Sequence, residues 1–118
     1  MTVLSTGPID NSPVLGVNPS SFVTVRIVNT DVVNSSTLQI FGYILNGERT
    51  LYVSELIEVS PNQVLTRDYS TNFVAYEFVF TISGPAVNET EVSVWGKTSS
   101  GELVDAHRLV SAEQLGSG

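Results

Sequence analysis

From Phe22 onward, apolar and polar residues alternate with a period of two, the pattern of strands that bury one face. Val23, Val25 and Ile27 alternate with Thr24 and Arg26, and predict a strand that starts at Phe22. Asn29-Thr30-Asp31 to Asn34-Ser35-Ser36 is turn chemistry. Leu38, Ile40, Gly42 and Ile44 then share one face, with Gln39, Phe41, Tyr43 and Leu45 on the other. Both faces are apolar, as in a central strand, and Gly42 marks a bulge or a close approach. Asn46-Gly47 predicts a hairpin. Its return strand, Thr50 to Val59, sets Leu51, Val53, Ile57 and Val59 together; Glu55 interrupts them and signals a bulge or an edge. Ser60-Pro61-Asn62 turns the chain into a weaker strand, Gln63 to Tyr69. The longest strand runs from Phe73 to Ser83, with Val74, Tyr76, Phe78, Phe80 and Ile82 on one face, and Gly84-Pro85 ends it. Glu91 to Lys97 and Glu102 to about Val110 follow, joined by Ser99-Ser100-Gly101. Residues 111–115 read as a helical turn or a continued strand, and 116–118 as a linker scar. These elements predict an all-β fold, a single β-sandwich of about seven or eight antiparallel strands over residues 21–115.

Residues 1–20 break this rhythm. They hold Pro8, Pro13 and Pro19 with Gly7 and Gly16, which excludes a helix or a long central strand. They are not a polar tail either, because Val3, Leu4, Ile9, Val14, Leu15 and Val17 are apolar and Asp10 is the only charged side chain. The segment reads as an extended arm that needs a surface. Fully stretched, it reaches roughly 65–70 Å, against a radius of gyration of about 13 Å for a domain of this size. Two placements stay open: strand addition to a neighbouring subunit, or a return to its own sandwich as a first strand.

Composition narrows the chemistry. With five basic residues against twelve acidic ones the formal charge is -7, which argues against nucleic acid and anionic membranes as partners. No apolar run is long enough to span a bilayer as a helix. The start of the chain has neither the basic region nor the apolar stretch of a signal peptide. The absence of cysteine excludes disulfides, thiol nucleophiles and thiolate metal sites. His107, the only histidine, has Asp105 at strand spacing but no further ligands nearby, so no metal site is expected and no cofactor is implied. No Gly-x-Ser-x-Gly elbow or phosphate-binding glycine loop occurs. Asp31 with Asn29 or Asn34 lacks the spacing of an EF-hand. Glu89 and Glu91 read as solvated edge charges. Asn34-Ser35-Ser36 and Asn88-Glu89-Thr90 match the glycosylation triplet and read as turns. The aromatic set of Trp95, Tyr43, Tyr52, Tyr69 and Tyr76 offers one alternative, a monomeric module binding surface glycans, although Trp95 and Tyr76 are expected in the core.

Several segments resemble a known family: Thr2 to Ser12, the Leu-Asn-Gly-Glu-Arg-Thr-Leu-Tyr hairpin at 45–52, Phe78 to Pro85, and the run from Ser93 to Lys97 and from Gly101 to Val110. Over about residues 2–115 the chain is similar to subunits of endospore appendages, the pilus-like fibres of spore surfaces. The resemblance implies a jelly-roll-like sandwich that is not an enzyme and self-assembles with copies of itself. Its N-terminal arm, residues 2–20 with Val3, Leu4, Ile9, Val14, Leu15 and Val17, would dock into the next subunit. It also implies a place on the spore surface, with manufacture in the mother cell and other spore-surface proteins as further partners. The better-known subunits cross-link through cysteines in this arm. Their absence here confines any fibre to strand pairing and packing.

Overall fold

The computed structural model describes residues 1–13 and 16–108, with side chains described up to residue 104. Among these residues nine strands form in chain order: β1 (Thr2–Ser5), β2 (Ile9–Asp10), β3 (Phe22–Asn29), β4 (Ser36–Leu45), β5 (Arg49–Val59), β6 (Val64–Ser70), β7 (Ala75–Ser83), β8 (Thr90–Lys97) and β9 (Leu103–Arg108). Among the described residues, the only helical element is a 3-10 turn at Val87–Glu89. One sheet has the order β1-β7-β4-β5, with β2 also paired to β7; the other runs β6-β3-β8-β9. All these pairings are antiparallel, and the two sheets pack as a β-sandwich.

The alternation seen in the sequence places the core. Tyr76, Phe78, Phe80 and Ile82 of β7 and Leu38 and Ile40 of β4 meet Val23, Val25 and Ile27 of β3 and Val92 and Val94 of β8. Gly42 serves both predicted purposes. The register slips beside it, and a Cβ built there would lie 2.8 Å from Phe78 Cε1. The slip also moves one predicted core residue. Gly42 faces Val53 and Tyr43 faces Leu51, so Tyr52 is the extra residue of the bulge. Tyr52 packs against the core while Leu51 is 48% exposed. Val74, also assigned inward by alternation, precedes β7 and is 41% exposed. Trp95 is the third departure: it lies half-buried on the outer face of its sheet, beside outward Ser93, rather than in the core. Asn62 adopts φ 57° in the Ser60–Gln63 turn, where asparagine tolerates the left-handed region. The expected strand end at Val110, the 111–115 element and residues 116–118 lie outside the described residues.

Candidate functional site

The N-terminal arm lies on its own sandwich. β1 pairs with β7 from Thr2↔Ile82 to Ser5↔Val79, and β2 continues along the same strand with Ile9↔Tyr76 and Asp10↔Ala75. The break between them falls at Gly7-Pro8, where Gly7 takes φ 65°. Thr6 bridges the break: its N–H donates to Phe78 O (3.0 Å), and its hydroxyl accepts the Phe78 N–H (3.1 Å). Of the six apolar arm residues, Leu4 and Ile9 enter the core at 5% and 7% exposure. Val3 is half-buried opposite Thr81, whereas Val17 is exposed. Val14 and Leu15 lie outside the described residues.

Asn11 closes the arm, and the sequence reading missed it. Its side chain is buried, and its amide donates to Ser20 O (2.9 Å), Thr71 O (2.6 Å) and Phe73 O (3.1 Å). Its carbonyl oxygen accepts from the Ser20 N–H (2.8 Å) and the Ser20 hydroxyl (3.1 Å). The backbone N–H of Asn11 donates to Val74 O at 2.8 Å. Ser20 Oγ is also 3.2 Å from Thr71 Oγ1 and 3.3 Å from Tyr76 Oη. A buried polar group needs such partners to offset its desolvation. No local signal could have singled out Asn11, since the same Asn-Ser pair stands in an ordinary turn at Asn34-Ser35.

The outer faces of the two sheets differ. On the β1-β7-β4-β5 sheet, Val3, Val79, Phe41 and Leu56 point outward, with Tyr43 next to Phe41 at 6.4 Å between ring centroids. Leu56 is 68% exposed. The Arg49 guanidinium covers the Tyr43 ring at 3.6 Å and pairs with Glu77 at 3.0 Å. The outer face of the other sheet carries Thr24, Arg26, Trp95 and Lys97, which with Leu103 line a shallow cleft of about 230 Å³. A second cleft of about 270 Å³, between Pro13, Asn18, Ile44 and Phe73, lies at the end of the sandwich where the arm closes.

The remaining candidate groups are placed as follows. Asp31 Oδ1 accepts the N–H groups of Val33 (2.8 Å) and Asn34 (3.0 Å), and these bonds lower its pKa, Val33 contributing most. Its carboxylate therefore organises the loop beside Asn29 and Asn34. No group of three or more His, Cys, Asp or Glu capable of holding a metal occurs among the described residues. His107 stands in β9 opposite Val94, with its side chain outside the description. Glu89 lies in the 3-10 turn and Glu91 in β8, separated by Thr90, which starts the strand. Tyr76 is in the core; Tyr52 and Tyr69 are partly buried against it, their hydroxyls donating to Ser70 O (2.8 Å) and Glu55 Oε1 (2.6 Å).

No protein-family model matches this sequence, and no curated protein does. Among solved structures, the chain is similar to Thermotoga maritima 1070, with 12% identity and a TM-score of 0.54 over 93% of this chain and 90% of that one. At that identity the likeness shows the fold alone. The Anabaena sensory rhodopsin transducer aligns at 15% identity and a TM-score of 0.45, over 77% of this chain and 90% of that one.

Proposed function

We propose that the chain is a non-enzymatic structural subunit of a spore-surface fibre, assembling by transfer of residues 1–11 from its own β7 to β7 of a neighbouring copy. The observation that carries this reading is the arm's position. Among the described residues, only β1 and β2 cover that side of β7; without them β7 is an open sheet edge, with unpaired backbone groups beside Phe80 and Tyr76, the register partners of Leu4 and Ile9. An arm from another copy satisfies the same register, with Leu4 and Ile9 in the same sockets and Asn11 in the same polar cage. Residues 12–20 are the connector. Extended, they span at most about 30 Å, comparable with the molecule's shorter dimensions of 30 and 24 Å. A transfer that does not close on itself builds a fibre.

The apolar outer face of Val3, Val79, Phe41 and Leu56 supports the same reading. A one-sided antiparallel sheet ordinarily turns polar residues to water, and an apolar patch on such a face suits contact with another protein surface. The resemblance to endospore appendage subunits supplies the location.

Because the chain has no cysteine, a designed pair tests the transfer directly. Val3 and Thr81 are register partners, with Cβ atoms about 4.5–5.5 Å apart in such pairs. Val3→Cys with Thr81→Cys, oxidised before assembly, is expected to give internally bridged monomers that form no filaments. Oxidised after assembly, it is expected to give a ladder of covalent multimers on non-reducing gels. Ser5→Cys with Val79→Cys provides a second register. Pre-oxidised monomers that still build ordinary filaments overturn the proposal.

A further inference from the structure

We propose that the cleft around Trp95 binds acidic saccharides, sugars carrying a carboxylate such as uronic acids. This site is independent of the arm and lies on the opposite sheet. Its charge is the first argument. In a chain of formal charge -7, two of the five basic residues, Arg26 and Lys97, line one small cleft, and among the described residues no carboxylate lines it with them. Arg26 is exposed and has no ion-pair partner among the described residues. Lys97 has none there either; its ammonium stands 6.0 Å from the Phe22 ring. Asp68, on the neighbouring β6, accepts the Thr24 hydroxyl at 2.7 Å and keeps its charge at the β6 side of the cleft, away from Lys97.

The register arranges these groups. Ser93, Trp95 and Lys97 lie along β8 opposite Arg26, Thr24 and Phe22 of β3. The backbone positions of Ser93, beside Arg26, and Lys97 are therefore about 13 Å apart, with Trp95 halfway between. Two long cationic side chains thus bracket an indole. Trp95 is fixed in that place, because its ring N–H donates to Ser93 Oγ at 2.9 Å. An open, shallow cleft with an aromatic floor suits a sugar ring, which presents C–H groups to the aromatic face and hydroxyls to the rim. The cations then select a sugar that carries negative charge, through charge-assisted hydrogen bonds. Leu103, 56% exposed, adds an apolar wall from β9.

Trp95 is the chain's only tryptophan, so its fluorescence reads the cleft directly. Full-length protein, kept dilute enough to stay monomeric, is titrated with a glucuronate-containing disaccharide, its neutral glucose counterpart, inorganic phosphate and an oligo-glutamate peptide. The acidic disaccharide is expected to shift the emission saturably, and the neutral one to bind about tenfold or more weakly. Arg26→Ala and Lys97→Ala should each weaken the acidic ligand about tenfold while leaving the unfolding midpoint within error of the parent. No saturable shift with the acidic sugar overturns the proposal, as does equal binding of the neutral sugar. Phosphate acting as strongly reduces the cleft to a simple anion site, and oligo-glutamate acting as strongly makes it a protein-binding patch; either result also overturns the saccharide assignment. None of these outcomes bears on arm transfer, which the cysteine pairs test separately.

Discussion

At the scale of single residues, Asn11 holds the arm more firmly than its neighbours' hydrophobicity suggests. Leu4 and Ile9 offer apolar area to β7, but strands of four and two residues carry few ladder bonds. The Asn11 amide and carbonyl together satisfy backbone groups from Ser20, Thr71 and Phe73. Asn11→Ala strands those groups in a buried site, at a cost of about 1–3 kcal/mol. The expected outcome is a lower urea midpoint and faster hydrogen exchange at residues 2–10, with the exchange of β3 and β8 much less affected. Exchange rising equally everywhere means that Asn11 supports the whole sandwich rather than the arm. Gly42 shows the opposite case, a residue whose role was readable from the chain. A glycine between strong strand formers announces a close approach, and Phe78 is the group that approaches.

At the scale of elements, β5 and β6 are edge strands of different sheets, and Glu55 links them. It accepts the Tyr69 hydroxyl at 2.6 Å and the Arg67 guanidinium at 2.9 Å. The Tyr69 hydrogen bond is the largest single cause that lowers the Glu55 pKa, and the Arg67 hydrogen bond and charge lower it further; desolvation opposes them. A lowered carboxylate gives stability that is complete above its unfolded value, about 4.3, and is lost as pH falls through the folded value. The parent is therefore expected to lose stability on acidification below about pH 5, and Glu55→Gln to lose less over that window, as read from urea midpoints. Tyr52 and Tyr69 act at the other extreme. Burial, joined for Tyr69 by its bond to Glu55, raises their pKa values. Their contribution holds below the ordinary tyrosine value of about 10 and fades as pH rises beyond it. Glu55 was readable as an interruption of an apolar face. That it bonds across the open side of the sandwich was not, because strands fold onto different sheets according to their crossovers rather than their alternation.

At the scale of the whole molecule, the proposed assembly would bring together copies that each carry a formal charge of -7. If transfer of the arm and the apolar face of Phe41, Val79 and Leu56 drive it, charge works against it. Raising ionic strength from 0.01 to 0.15 M shortens the screening length from about 30 to about 8 Å. Filament mass, followed by light scattering and negative-stain microscopy, is expected to rise over this range. A fall with salt instead indicates ion pairs at the interface and counts against the apolar face. Leu56→Glu tests the same point locally, since it adds a charge to a position already 68% exposed and leaves the core intact.

The sequence by itself determined the strand class, most of the core and the break in alternation over the first twenty residues. Period-two alternation and glycine-proline punctuation are local, and the chain carries them wherever it goes. Tertiary structure alone decided three things. It set the arm on β7, since an apolar extended segment fits any open edge of suitable register. It turned Trp95 outward, because a strand's alternation gives two faces without saying which one meets the other sheet. It gathered Asn11, Ser20, Thr71 and Tyr76 into one buried network, because only the folded chain brings residues so distant in sequence within hydrogen-bond reach.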